Sequence, residues 1–466
     1  MSFDPVAWIN TPRWQTSRLG LERVADLLER MGRPQDGLRF VHVAGTNGKG
    51  SVCAYLASVL EAAGYRVGLF TSPYILHFEE RIRVNGANIT VEELARAVAV
   101  VRPVAEAMEA ATGDHPTEFE LMAAVALEHF RAAACDIVVL EVGLGGRLDA
   151  TNVVDRPEAS IITRIGLDHT DLLGDTLVAV AGEKAGIVKA GVPVVSWPQE
   201  PEAMAVIEAV CAERGCELRC PDFADLAVGP LAGAVGWGSG TSGDALDEAG
   251  ASAPPVPPRR RFTYRGRPFE THLLGSYQPF NAALALAACE ELRERGWTIP
   301  EEACRAGIAA ARWPGRFEVV GTFPLAIVDG GHNPQGAEAL ASSLADLLGE
   351  AGRGSVHFAL GVLADKDYPA MVRAVAPWAA SFSVYAPENP RALAAHELAA
   401  CARDVLAEEV RSGAAVPRGG AVPVSMCASP AAAFAAARDA AGSEGVAVAF
   451  GTLYAIADLT NASGCR

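Results

Sequence analysis

Short apolar runs along the chain alternate with longer segments in which apolar residues recur every three or four positions. Phe40–Ala44 (FVHVA) is the first clear run, and Val52, Leu56, Val59 and Leu60 then keep to one helical face. Val67–Phe70 is a second run, and Val91–Val101 reads as helix again. Ile137–Glu141 and Ile161–Ile165 are β-branched runs that end in polar residues, and Thr176–Gly186 reads as a short helix. This alternation predicts an α/β fold with a mostly parallel sheet covered by helices. Ligands in such sheets bind beyond the carboxyl ends of the strands. Gly45–Ser51, Ser72, Glu141 and His169 all fall there.

Residues 229–261 break the pattern with Gly, Ser, Ala and Pro, then Pro-Pro-Val-Pro-Pro and three arginines. That composition predicts a mobile surface insertion, with Arg259, Arg260 and Arg261 at its solvated end. An edge hairpin is expected after Phe262, followed by an alanine-rich helix over Pro279–Arg295 that stops at Gly296. Beyond it the alternation resumes: helix 301–311, strand Leu325–Val328, helix 335–348, strand Val356–Leu360, helix 368–375, strand Ser381–Tyr385 and strand Val446–Phe450. A chain of 466 residues exceeds one compact core, so two domains are expected, 1–297 and a smaller α/β domain 298–466.

Net charge of −17 argues against nucleic acid as the main partner, because phosphate neutralisation needs a broad basic surface. Ten cysteines are too sparse for a disulfide scaffold, and Cys211, Cys216 and Cys220 lack the paired spacing of structural zinc. The start, Met-Ser-Phe-Asp-Pro, has neither a basic stretch nor an apolar core, and no apolar run reaches membrane length. A cytoplasmic protein that does not bind membranes is expected.

The stretch Arg39–Ser51 (RFVHVAGTNGKGS) carries the strongest chemistry. A strand enters a glycine turn whose backbone N–H groups can face a phosphate, Lys49 adds charge, and Ser51 can meet Mg²⁺ at the next helix. The spelling departs from the common phosphate loop: Val43 holds the first glycine position and Gly50 separates Lys49 from Ser51. Glu141 ends a buried strand and needs a cation, either a metal or a partner such as Arg147. His169 in IGLDH ends the next strand, where a histidine in a polar loop is usually structural but its strand-end position makes it a candidate metal ligand. Lys184 lies near a helix C-terminus, where a lysine usually serves the helix dipole; a desolvated amine there could instead take up CO₂ as a carbamate. Arg316 in WPGRFE and Asp329 with His332 in DGGHNP suit phosphoryl or ribose contacts in the second domain.

GTNGKGS, TSPYILHFEERIRVNG, EVGLGGRLDATN, IGLDHTDLLG, GEKAGIVK, LLGSYQPFNAALA, WPGRFE and DGGHNP resemble, in the same order, the motifs of folylpolyglutamate synthases. Those enzymes belong to the Mur ligase superfamily, and the likeness runs from about residue 16 to 455 with 229–261 outside it. The resemblance implies a P-loop ATPase domain that also binds folate, and a Rossmann-like glutamate-ligase domain. It implies ATP-dependent joining of L-glutamate to a folate γ-carboxylate through an acyl phosphate, with dihydropteroate as a possible second acceptor. Asn47, Gly48, Lys49, Gly50 and Ser51 resemble the phosphate-binding residues, joined on ATP by Asn281, Arg316, Asp329 and His332. Ser51, Ser72, Glu141 and His169 resemble the ligands of two Mg²⁺ ions, and Lys184 the lysine that becomes carbamylated. Lys49, Lys184 and His169 are thus the expected catalytic set, and Tyr74, Thr117, Phe119 and Glu120 the expected folate contacts. Tyr74 stands where many relatives have histidine, and Gly331 replaces an alanine. The partners are expected to be folate and L-glutamate, and the protein a monomer. A ligase for UDP-muramyl peptides and a non-catalytic ATP-binding regulator are the competing readings; Lys49, Ser51, Glu141, His169 and Lys184 count against the regulator.

Overall fold

The computed structural model describes residues 3–11, 18–232, 258–412 and 421–462. The chain divides into two compact units, Met1–Ala224 with Phe280–Ala311, and Asp225–Pro279 with Arg312–Arg466. The N-terminal unit is built on strands β1 (Phe40–Ala44), β2 (Val67–Phe70), β3 (Ile82–Val84), β4 (Ala87–Asn88), β5 (Ile137–Glu141), β6 (Ala159–Ile162), β7 (Val194–Ser196) and β8 (Leu218–Arg219). They form one sheet in the order β4-β3-β2-β5-β1-β6-β7-β8. From β2 to β8 all pairs are parallel, while β3 and β4 add an antiparallel edge.

Every residue of β1 is buried, which is why its sequence is a continuous apolar run rather than an alternating one. His42 is the polar exception. Its Nε2 lies 2.9 Å from Thr151 Oγ1, and Thr151 Oγ1 donates to Asp149 Oδ1 at 2.5 Å. Burial, aided by Lys189, pushes His42 down to about 3, so the strand core carries a neutral imidazole.

Helices cover the sheet as the periodicity predicts, with two informative differences. The helix expected over Val91–Val101 runs on to Thr112, started by a capping box between Thr90 and Glu93. The helix Glu301–Ala310 belongs to the N-terminal unit rather than to a domain beginning at 298. Gly307 explains it: a Cβ there would sit 2.4 Å from Val59 Cα, so this helix lies directly on the backbone of Lys49–Ala62.

The C-terminal unit holds β9 (Leu226–Ala232), β10 (Arg259–Tyr264) and β11 (Arg267–Thr271) as a small antiparallel sheet. Its main sheet comprises β12 (Glu318–Thr322), β13 (Leu325–Val328), β14 (Val356–Leu360), β15 (Ala379–Val384), β16 (Val424–Met426) and β17 (Val446–Phe450), in the order β12-β13-β17-β14-β15-β16. The insertion expected at 229–261 is mostly 233–257, which lies outside the described residues; its flanks are strands β9 and β10. Arg260 is not a solvated loop residue. It is wholly buried, its Nε donates to Leu274 O at 2.6 Å, and its Nη2 lies 2.6 Å from Asp346 of helix Pro334–Leu348. Arg259 pairs with Glu270 across the hairpin. Among the described residues no helix is long and apolar enough to cross a membrane.

The Gly307 packing is testable. Gly307→Ala is expected to lower unfolding free energy by about 1–3 kcal/mol through overpacking, read by urea denaturation; an unchanged midpoint contradicts the close approach.

Candidate active site

The phosphate loop leaves the carboxyl end of β1 and is strapped to the segment after β6. Thr46 N and Asn47 N both donate to Arg164 O, at 3.0 and 3.1 Å, and the Thr46 hydroxyl donates to Gly166 O at 2.9 Å. Gly45 and Gly48 have φ of +147° and +93°, and a Cβ at Gly45 would lie 1.9 Å from Thr163 Oγ1. Both positions therefore require glycine. At Gly48 the same atom would lie 2.7 Å from Asn281 Oδ1, so the structure brings Asn281 against the loop. Lys49 opens the following helix, with Gly50 and the buried Ser51 in its first turn. The Lys49 amine turns back to Gly45 O at 3.1 Å and Thr46 O at 3.3 Å.

Lys184 reaches the same place from another element. It sits near the end of helix Leu177–Ala185, is 4% exposed, and donates from Nζ to Gly45 O at 2.9 Å. Two ammonium groups thus share one carbonyl oxygen. Burial first and the Lys49 charge second push the Lys184 amine down to about 7, against the pull of Asp168, Asp149 and Glu183. Near neutral pH a large fraction is the free amine, the form that reacts with electrophiles.

Ser72 follows β2, Glu141 ends β5 and the His169 segment follows β6; β5 and β6 flank β1, and β2 lies beyond β5. Glu141 is 3% exposed, and its Oε2 accepts the Ser72 backbone N–H at 3.1 Å. Arg147 does not serve it: Arg147 Nη2 pairs with Glu183 at 2.7 Å instead. His169 has φ of +52°, its N–H donates to Asp168 Oδ1 at 2.9 Å, and its ring is partly exposed. Among the described residues no group of three or more His, Cys, Asp or Glu stands placed for a metal; the expected ligand set has two hydroxyls, one carboxylate and one imidazole.

In the C-terminal unit Asp329 follows β13. Its Oδ1 accepts Gly331 N at 2.7 Å, and its Oδ2 accepts Phe317 N at 2.8 Å and the Tyr277 hydroxyl at 3.3 Å. Burial pushes its pKa above the ordinary carboxylate value, opposed by Arg316. This carboxylate ties the WPGRFE and DGGHNP segments together. His332 Nδ1 lies 2.9 Å from Gly330 O, so Nδ1 carries the proton. Sequence reasoning missed a cationic group at the carboxyl edge of β14, where Lys366 Nζ and Arg391 Nη1 approach one oxygen of Asp365, at 3.4 and 3.5 Å.

Comparison with known proteins places these features. Residues 43–207 match the Mur ligase middle domain and residues 315–453 the Mur ligase glutamate ligase domain. The folylpolyglutamate synthase of Lacticaseibacillus casei is 38% identical over 379 residues, 80% of this chain and 82% of that protein. The dihydrofolate synthase/folylpolyglutamate synthase of Bacillus subtilis is 38% identical over 400 residues, 85% and 87% of the two chains. Mycobacterium tuberculosis folylpolyglutamate synthase complexed with ADP superposes with a TM-score of 0.82 at 27% identity, covering 99% of this chain and 100% of that one. The chain belongs to the folylpolyglutamate/dihydrofolate synthase family. It is an ATP-dependent ligase of the Mur type.

Against the pattern of that family, the expected folate segments divide by geometry. Thr117 and Glu120 form a capping box: Thr117 N donates to Glu120 Oε2 at 2.8 Å and Glu120 N to Thr117 Oγ1 at 3.4 Å. Arg23 also holds Glu120 through two nitrogens, at 2.9 and 3.1 Å. Their side chains start the helix Glu118–Ala132. Phe119 instead packs beside Phe70 and faces Gly143, where a Cβ would meet its ring at 2.3 Å. Tyr74 is 39% exposed with the Arg81 guanidinium 4.9 Å from its ring centre. Gly331 is more than a loosened alanine, since a Cβ there would lie 2.8 Å from Asp329 Oδ1.

The depressed Lys184 amine has a consequence for stability. From about pH 7 to its ordinary value of 10.5, the unfolded chain keeps a proton here that the folded chain has released. Stability from this group therefore rises with pH across that window and is lost as pH falls through it. Lys184→Met removes the effect, so in denaturant titrations of the ligand-free protein its advantage over wild type is expected to be largest at about pH 7 and to shrink toward pH 10.5. A difference independent of pH contradicts the depressed amine.

Proposed function

We propose that the chain joins L-glutamate to the γ-carboxylate of a folate at the expense of ATP. The observation that carries this reading is the convergence of the glycine loop, Lys49 and Lys184 on Gly45 O, in a chain whose relatives are named folate ligases. Asn47, Gly48, Lys49, Gly50 and Ser51 receive the ATP phosphates, with Asn281 at the edge of the loop. By likeness to the family, Arg316, Asp329 and His332 are further ATP contacts, with Asp329 holding its own loops in place.

A folate carboxylate oxygen attacks the γ-phosphorus, and ADP leaves with the electrons of the broken P–O bond. The resulting acyl phosphate gives its carbonyl carbon a good leaving group. The glutamate amine, having lost a proton, attacks that carbon, and phosphate departs as the amide forms. Positioning and charge neutralisation supply most of the rate. Ser51, Ser72 and Glu141 offer the hard oxygen donors that suit Mg²⁺, and His169 adds a nitrogen. Two Mg²⁺ bound there would neutralise phosphate charge. Lys184, as free amine, adds CO₂ to become a carbamate and releases one proton, which converts a neutral buried amine into an anion. Tyr74 and Phe119 are the folate contacts that the geometry favours. Lys366 and Arg391 around Asp365 leave net positive charge suited to the carboxylates of glutamate.

Dihydropteroate is the second acceptor to consider, because an Escherichia coli relative of 30% identity and TM-score 0.78 is described in complex with DHPP and ADP. The enzyme is proposed to act as a monomer.

Phosphate release tests the whole reading. Tetrahydrofolate with glutamate is expected to stimulate ATP turnover, UDP-muramyl peptides are not, and dihydropteroate measured alongside decides bifunctionality. Lys49→Ala is expected to cut kcat by about 10²-fold or more; turnover like wild type would remove the phosphate-site assignment.

A further inference from the structure

The segment after β2, from Ser72 to Arg81, folds around a carboxylate that the reaction scheme does not use. Glu80 is 7% exposed. Its Oε2 accepts from Ile75 N at 2.9 Å, its Oε1 from His77 N at 3.2 Å, and Leu76 N donates to both oxygens at 3.2 and 3.3 Å. Three consecutive backbone donors therefore converge on one internal anion. The His77 bond is half of a capping box that starts the turn Phe78–Arg81, and the Ile75 and Leu76 bonds extend it so that the chain supplies its own anion to the loop. Arg83 on β3 faces the same charge.

What this anion arranges lies on either side of it. Upstream, Ser72 N donates to Glu141 Oε2 at 3.1 Å, which joins the start of the loop to the end of β5. Between them Tyr74 stays 39% exposed, its ring 4.9 Å from the Arg81 guanidinium and 6.1 Å from the ring of Phe78. Those two aromatic and cationic neighbours flank Glu80 in the chain, so the carboxylate sets both the backbone of 75–77 and the platform under Tyr74.

We propose that Glu80 is a positioning residue for ligation: an internal anion that holds the 72–77 loop so that Ser72 and Tyr74 face their ligands, without itself touching substrate. The inference rests on the proposed assignment of Tyr74 to folate and Ser72 to Mg²⁺. Leaving three aligned N–H groups vacant makes a small external carboxylate a substitute for the missing side chain. A residue that merely contributed packing could not be replaced in this way.

The test uses the full chain with Glu80→Ala and Glu80→Gln, the second being near-isosteric should the first fail to fold. Both are expected to raise KM for tetrahydrofolate by about tenfold or more and to raise the Mg²⁺ concentration needed for half-maximal turnover, while KM for glutamate stays within about twofold. Hydrogen exchange at the Ile75, Leu76 and His77 amides is expected to quicken in both. Formate or acetate is expected to restore folate KM and amide protection in Glu80→Ala, and to leave wild type unchanged. Variants with wild-type exchange and folate KM, or with an equal loss for all substrates that formate does not relieve, overturn the proposal. If wild type ignores folate, the folate assignment fails, and the exchange data with and without formate still decide for or against Glu80.

Discussion

The carbonyl oxygen of Gly45 is the point on which the N-terminal site depends. It accepts from both Lys49 and Lys184, residues 135 positions apart in the chain (184 − 49), and so joins the phosphate loop to a helix after β6. Two ammonium groups at one weakly negative oxygen, one of them shielded from water, cannot both keep an ordinary proton affinity. Lys184 yields because it is buried beside the Lys49 charge, and the pull of Asp168, Asp149 and Glu183 does not offset this. A loop that binds phosphate with a single lysine would have no such second amine. Here the second amine is poised for chemistry that a permanently charged lysine could not enter.

Sheet order then does what no single motif could. The residues at the carboxyl ends of β2, β5, β1 and β6 come from four separate stretches of sequence, yet these strands are consecutive neighbours. Ser72, Glu141, the phosphate loop and the His169 segment are consequently presented along one edge, with Glu141 already bonded to the Ser72 backbone. The price of that convergence is buried polarity, and the unit meets it with internal partners: Thr151 for His42, Arg164 O for the loop amides, three backbone amides for Glu80.

Much of this was legible in the chain. β1, β2 and β5 are fully buried parallel strands, and such strands spell continuous apolar runs, so the positions of Gly45–Ser51, Ser72 and Glu141 at their carboxyl ends could be placed by reading alone. The helix carrying Lys184 was legible too, but its aim at Gly45 is a tertiary fact with no local signal. Thr117 and Glu120 carry two readings at once. Their Thr-x-x-Glu spacing is a helix-start signature that the structure bears out, and likeness to a family assigns them to substrate as well. Arg260 reads as a solvated charge until Asp346 is seen beside it. The helix at 301–310 followed its expected bounds almost to the residue, yet its side of the division was hidden, because only the absent Cβ of Gly307 lets it lie on Val59. Short edge strands such as β12 and β16 carry little burial and so left little pattern.

The central claim is that ATP activates a carboxylate of folate at the Gly45 loop before glutamate arrives. Tetrahydrofolate labelled with ¹⁸O in its γ-carboxylate measures this directly. During ligation, one labelled oxygen is expected to pass from each carboxylate to the phosphate released, found by mass spectrometry of the phosphate. Release of phosphate without label while the glutamyl amide forms would contradict activation through an acyl phosphate.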